Sequence, residues 1–318
     1  MTRKCLQTSA LLVLLLLLPV HKPSAGTRAV SEQDRFQGLG QEPSAALIAF
    51  RRHLHDANFG REPIATVIAR EYEQYKKASG NGSCKTDAPT AQLHDAFAAA
   101  LIASQGTAEA SYLDDLQACH TQLKLRGANQ RSEDVLLYKA LVRHREFVAA
   151  ARFSNEHAEL RLPPVPPVID DRQTLASEKP SALRVVHERN GTRLVRDEID
   201  LHKPKQIVVV ASANCHFSQD AISELEKDSD LKARLAGAMW LAPLDDLLQF
   251  SEMQNWNEQH PYAELQVPYR KSELHGLDLT ETPVFFILED GKIVDSLAGW
   301  PGPQQRDQLK FLLKRHGF

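Results

Sequence analysis

The sequence has few of the features that mark nucleic-acid-binding, metal-binding or repeat proteins. Its net charge is only −3, and no basic stripe with interleaved aromatic residues points to a nucleic acid. The 13 histidines are scattered, and neither an H-E-x-x-H nor a Cys-x-x-Cys pattern accompanies them. His53 and His55 stand two positions apart, which places their side chains on different sides of a helix. We therefore predict no metal site and no cofactor, and we expect no nucleic-acid partner.

Long apolar runs are also missing, with one exception near the N-terminus. Arg3 and Lys4 precede an apolar stretch from Ala10 to Val20, and small residues follow at positions 24–26. This order is typical of a secretory signal peptide over residues 1–26, because the apolar stretch is too short to span a bilayer comfortably. We expect a soluble exported protein without stable membrane insertion, either periplasmic or secreted, with a bacterial periplasm as the first expectation.

Cysteine is scarce, and its distribution is informative. Of four cysteines, Cys5 lies in the predicted signal peptide, which leaves Cys84, Cys119 and Cys215. Disulfides persist in exported compartments, so an odd count leaves one thiol unpaired. Cys84 and Cys119 both fall in the N-terminal region, and a bridge between them would close a loop of about 36 residues and stabilise the fold by roughly 3–4 kcal/mol. The alternative is a second redox pair that exchanges with Cys215.

Residues 40–158 carry apolar residues at helical spacing, which predicts an α-helical domain. Five apolar stripes are present: Leu47, Phe50 and Leu54; Ile64, Val67, Ile68 and Tyr75; Leu93, Phe97 and Leu101; Tyr112, Leu116, Cys119 and Leu123; Leu137, Leu141 and Val148. The next segment, residues 159–182, is a proline-rich linker, since the stretch from Leu162 to Pro167 cannot continue a helix.

Residues 183–318 alternate between strand and helix patterns. Asn190-Gly191 is a favoured hairpin turn, and the four β-branched residues Ile207–Val210 are typical of a buried strand. The motif Cys215-His216-Phe217-Ser218 follows that strand and precedes an amphipathic helix. Because backbone N–H groups at a helix N-terminus stabilise a thiolate, Cys215 is a candidate nucleophile. The alternative is a buried and inert cysteine.

The remaining elements complete a recognisable order. Thr282-Pro283 enters a second apolar strand, Asp290-Gly291 marks a hairpin turn, and a last helix carries Leu309, Leu312 and Leu313. With the strand, the Cys-x-x-Ser motif and the helix before them, they resemble the thioredoxin-like superfamily over residues 183–318, under half of the chain. The resemblance implies a central mixed sheet, so the expected fold class is α + α/β with the helical domain first. It also implies a cis proline at Pro283 and places Thr282 and Pro283 beside Cys215, where they would hold a client backbone.

Two positions depart from the usual pattern of that superfamily. Ser218 stands where most members have a second, resolving cysteine, and Val209 stands where thioredoxins place a buried acid. The motif is similar to that of monothiol members, which implies thiol–disulfide exchange through mixed disulfides with protein clients that bear disulfides or thiols. Cys215 would attack the client, His216 would tune the thiolate, and Ser218 could not release the product. Glutathione or another external thiol would then do so.

Three alternatives stay open on the residues alone. In the first, the thioredoxin-like domain is a non-catalytic binding or assembly module that has kept the fold and lost the catalytic chemistry. Trp300 either lines a groove for the client or packs in the core, as aromatic residues more often do. A copper site made by Cys215 and His216 is a minor alternative, because thioredoxin-like metallochaperones generally use two cysteines.

Overall fold

The chain forms two compact units, Thr8–Pro164 and Val165–Phe318, the second of which includes Met1–Gln7. The computed structural model describes residues 5–6, 43–57, 64–80, 84–107, 109–172, 179–188, 191–243, 250–270, 273–274, 276–277, 279 and 281–318. The first unit is helical and the second combines helices with a mixed sheet, which confirms the predicted fold class of α + α/β. Most of the predicted signal peptide lies outside the described residues. Within the described ranges, no helix is both long and apolar enough to cross a membrane.

The helical unit contains six α-helices within its described residues. They are α1 (Ala45–Asp56), α2 (Ile64–Ala78), α3 (Thr90–Gly106), α4 (Ala110–Leu125), α5 (Arg131–Arg143) and α6 (Phe147–Glu156). The first four predicted stripes face the interior; Leu54, Leu93 and Leu116, for example, are fully buried. Helix α3 has nine buried residues, more than any other of the six, and most of them are apolar.

A disulfide joins Cys84 to Cys119, as the sequence predicts. Cys84 lies in the segment before α3, and Cys119 is 1% exposed on the apolar face of α4. The bridge therefore links that segment to the interior of the helical unit.

The fifth predicted stripe is wrong in part, because it spans two helices. Arg145 lies between α5 and α6 in a left-handed conformation with φ of 63°. The Glu146 N–H donates to the Leu141 carbonyl at 2.9 Å, which is the hydrogen bond of a helix C-terminus rather than of a continuing helix. As a result, Leu141 is buried on α5, whereas Val148 on α6 is 78% exposed.

Two histidine–carboxylate contacts anchor the N-terminus of α5. His94 Nδ1 lies 2.6 Å from Glu133 Oε1, and His120 Nε2 lies 2.6 Å from Asp134 Oδ1. His94 belongs to α3 and His120 to α4, so the adjacent carboxylates tie α5 to both helices. Carboxylates are also favourable at a helix N-terminus because of the helix dipole.

The α/β unit is built around an eight-stranded sheet. Its strands are β2 (Val168–Asp170), β3 (Ser181–Glu188), β4 (Gly191–Glu198), β5 (Gln206–Val210), β6 (Met239–Leu241), β7 (Leu265–Pro268), β9 (Val284–Glu289) and β10 (Lys292–Ala298), and a separate antiparallel pair joins β1 (Cys5–Leu6) to β8 (Glu281–Thr282). The helices are α7 (His216–Leu225), α8 (Ser229–Leu235), α9 (Phe250–Gln259) and α10 (Gln304–Arg315). The sheet order is β10-β9-β5-β6-β7-β3-β4-β2, with β5, β6 and β7 parallel and β9 antiparallel to β5.

Strand β5 is buried along its whole length, as its run of β-branched residues predicts. Val208 and Val210 belong to one apolar core. Val209 points to the other face, where it is paired with Phe285 on β9 and Trp240 on β6. Both faces of the central strand are therefore covered. The chain leaves the sheet after Val210.

The predicted linker contributes a strand to this unit. Val168–Asp170 forms β2, which runs parallel to β4, and the division between the two units falls at Pro164. Side-chain hydrogen bonds from Arg172, each 2.7 Å long, lower the pKa of the Asp170 carboxyl. The extended proline-rich stretch thus leads directly into the edge of the sheet.

Candidate functional site

The chain passes from a buried strand to a helix within five residues after β5. Helix α7 begins at His216, and Cys215 is its N-cap residue. The Cys215 N–H donates to the Ser212 carbonyl at 3.1 Å, and the Cys215 carbonyl accepts from the Gln219 N–H at 3.0 Å. Cys215 consequently lies at the helix end where backbone N–H groups have no intrahelical acceptor.

The Cys215 thiol faces the loop that carries Pro283. Its Sγ lies 3.6 Å from the Thr282 carbonyl oxygen, a distance that suits a weak S–H···O hydrogen bond. The peptide bond between Thr282 and Pro283 is cis. Cys215 is the free thiol among the cysteines whose side chains the structure describes, and it is 5% exposed. The structure thus brings Cys215, Thr282 and Pro283 together across 67 positions of sequence.

Ser218 is a structural part of the site. Its side chain is 1% exposed, and its hydroxyl accepts a hydrogen bond from the Ser212 N–H at 3.2 Å. The Ser212 hydroxyl in turn accepts from the Asn214 N–H at 3.3 Å. These bonds hold the loop that presents Cys215. Sequence reasoning missed Ser212, although a short polar run between a buried strand and a helix is a recognisable signal for such turns.

Val209 occupies an apolar environment. It is fully buried, and its neighbours across the sheet are Phe285 and Trp240. Trp240, Phe285 and Trp300 form a row of rings with centroids 6.5 Å and 5.9 Å apart. A carboxylate at position 209 would therefore be desolvated among aromatic rings, which is unfavourable. Valine suits this environment, and it leaves position 209 without a carboxylate that could accept a proton.

His216 and Trp300, two of the predicted site residues, differ in their exposure to solvent. His216 is exposed, its ring centroid lies 3.9 Å from that of Phe217, and no described residue hydrogen-bonds to its ring nitrogens. Trp300 is 1% exposed and packs on Phe285, which is the core-packing arrangement. The loop before it is nevertheless tied to the site, because the Gly299 N–H donates to the Pro283 carbonyl at 2.8 Å.

Among the described side chains, no group of three or more histidine, cysteine, aspartate or glutamate residues is arranged to hold a metal ion. No protein-family model matches the chain. The curated proteins contain no significant match either. A search of solved structures finds similarity to a thioredoxin-like protein from Bacteroides caccae ATCC 43185, with 12% identity, 91% of this chain and 97% of that chain covered, and a TM-score of 0.29. At that TM-score the similarity supports no inference, so the site described above rests on the geometry of this chain alone.

Proposed function

We propose that the chain is an exported monothiol protein that exchanges disulfides with protein clients through Cys215. The observation that carries this proposal is the placement of a free thiol at the N-cap of α7, 3.6 Å from the carbonyl of the residue before a cis proline. The thiolate is the form of a cysteine that attacks a disulfide. The nearby backbone of Thr282 is suited to orient an extended client.

The reaction balances without a cofactor. The Cys215 thiolate attacks one sulfur of a client disulfide, the client S–S bond breaks, and the other client sulfur leaves as a thiolate. The product is a mixed disulfide between Cys215 and the client. Ser218 carries no thiol, so release requires a second thiolate, from glutathione or from the client itself, which attacks the mixed disulfide and returns Cys215 as a thiolate.

The edge of β8 supports the proposed mode of client binding. Strand β1 pairs with it in an antiparallel register that places Cys5 opposite Thr282 and Leu6 opposite Glu281. An extended segment can therefore pair with the backbone beside the thiol. In the mature chain, after loss of residues 1–26, that edge would be free for a client strand.

A peptide with one intramolecular disulfide tests the proposal. Residues 27–318, incubated with that peptide and quenched with acid, should show the mass of one covalent adduct that dithiothreitol removes. Cys215→Ala should show none. Failure of the wild-type chain to form an adduct with any peptide or small disulfide would contradict the proposal.

A second function is favoured by one observation, the 5% exposure of Cys215. A thiol that stays under the Thr282 carbonyl would not meet a client, and the unit would act as a binding or assembly module. The rate of alkylation of native Cys215 separates the two functions. A rate close to that of a free thiol supports exchange, whereas protection until unfolding supports the binding module.

A further inference from the structure

A small cleft opens along α7 just beyond the candidate site. Its volume is about 200 Å³, and the residues that line it include Phe217, Asp220 and Glu224 on α7, Lys227 just beyond α7, and Trp300 and Pro301 after β10. We refer to these six residues as the side cleft. The loop that contributes Trp300 to the side cleft is tied to the candidate site, because the Gly299 N–H donates to the Pro283 carbonyl at 2.8 Å.

The charges of the side cleft are mainly negative. Asp220 and Glu224 each contribute a carboxylate, whereas Lys227 is the one basic residue lining it among those described. Asp220 and Lys227 are exposed, and Glu224 is partly buried. A net negative wall of this kind favours a cationic ligand.

Two polar atoms of the side cleft have no hydrogen-bond partner among the residues that the structure describes. Glu224 Oε2 is shielded from solvent and accepts no bond, and the same holds for the donor Nε1 of Trp300, a residue that is 1% exposed. Buried polar groups in proteins almost always have a partner. Among the described residues that line the side cleft, α7 thus carries one unmatched acceptor, and the loop after β10 carries one unmatched donor.

We propose that the side cleft binds a basic residue of the client, next to the cysteine that forms the mixed disulfide. The lysine or arginine head group donates to the carboxylates of Asp220 and Glu224. The apolar stem of the basic side chain packs between Phe217 and Pro301, as such stems do elsewhere. Lys227 has a long, exposed side chain. It swings out of the side cleft when the client cation binds there. This inference rests on the proposed function, since it names the client class for the same site.

Two matched peptide disulfides test this inference. The two peptides are identical except at the two positions that flank the cysteine. These positions are arginine in the first peptide and glutamine in the second. The second-order rate of mixed-disulfide formation with residues 27–318 should be about fivefold higher for the arginine peptide at low salt, the effect of one or two partly exposed ion pairs. The variant Asp220→Asn/Glu224→Gln should react with both peptides at nearly equal rates.

Two controls separate the possible causes. Glu258→Gln neutralises an exposed acid on α9 that does not line the side cleft, and it should keep the wild-type preference. Hydroxyethyl disulfide is uncharged, and its reaction rate should be the same in all three proteins, which shows that the thiol and the fold are intact. Equal rates for the two peptides with wild type, or a preference that survives Asp220→Asn/Glu224→Gln, would overturn the inference alone. The absence of any adduct, hydroxyethyl disulfide included, would overturn the proposed function and the inference together.

Discussion

Ser218 illustrates how one residue can serve the fold while it removes a chemical step. Its hydroxyl accepts the Ser212 N–H, so it stabilises the loop that presents Cys215. It lies one helical turn beyond Cys215, where a thiol would be able to attack a mixed disulfide on that cysteine. The hydroxyl has no such reactivity, and this is why covalent intermediates should accumulate.

Replacement of Ser218 by cysteine should therefore shorten the life of mixed disulfides. The attack becomes intramolecular, and a client peptide should be released faster than from wild type, with a gain in the reduction of insulin. The gain should be limited, because Val209 provides no acid to activate the new thiol. Release is measured by rapid acid quench and mass spectrometry of the preformed adduct.

The variant Ser218→Ala is the matched control for this change. It loses the bond to Ser212 but gains no thiol, so adducts should persist as in wild type, while the free energy of unfolding falls by about 1 kcal/mol. Equal release rates from Ser218→Cys and Ser218→Ala would show that a thiol at this position cannot reach the mixed disulfide.

Among the elements, the end of α5 shows how burial can produce a pH dependence. His144 caps α5, and its Nε2 lies 2.9 Å from the Ser104 carbonyl on α3. Burial lowers the pKa of His144, and the positive charges of Arg143 and Arg145 act in the same direction, whereas the Ser104 carbonyl and Asp114 oppose them. The folded state thus favours the neutral imidazole.

The helical unit should lose stability as the pH falls below about 6.5, the usual histidine pKa. The unfolded chain binds the proton first, so the contribution of His144 is complete above that value and is lost towards its lower folded pKa. His144→Gln keeps a donor for the Ser104 carbonyl but does not titrate. Urea unfolding followed by far-ultraviolet circular dichroism between pH 7.5 and 5 should give a steeper loss for wild type than for His144→Gln. Parallel curves would contradict the assignment, since the other histidines are common to both proteins.

The elements also show which parts of the molecule the sequence can predict. The buried strand before Cys215, the helix after it and the hairpin at Asp290-Gly291 follow from local patterns of apolar and turn residues. The break at Arg145 does not, because arginine has no preference for a left-handed conformation and the apolar spacing continues across it. The bond between Ser218 and Ser212 depends on how the loop closes, which single-residue preferences do not encode.

At the scale of the whole molecule, the three cysteines of residues 27–318 divide between the two units. The bridge between Cys84 and Cys119 lies in the helical unit, and Cys215 is free in the α/β unit. This division favours the interpretation of the bridge as structural. It also leaves Cys215 as the free thiol on which the proposed exchange depends.

Loss of the bridge should destabilise the helical unit without a change at the thiol. In Cys84→Ala/Cys119→Ala, the free energy of opening that hydrogen exchange reports for the α3 and α4 amides should fall by roughly 3–4 kcal/mol. This is the chain-entropy contribution of a loop of this length. Non-reducing peptide maps of wild type should join the peptides of Cys84 and Cys119 and leave Cys215 open to alkylation. A peptide that joins Cys215 to either of the other two would instead support a relay between cysteines.

Covalent trapping of partners in cells distinguishes a reactive Cys215 from an inert one. Cells that express wild type, Cys215→Ala or Ser218→Cys are quenched with acid and a thiol-alkylating reagent, and adducts are resolved on non-reducing gels. We expect wild type to form adducts that a reducing agent removes, Cys215→Ala to form none, and Ser218→Cys to form fewer. The same adduct pattern in wild type and in Cys215→Ala would contradict this expectation, because Cys215 would then be a packing residue.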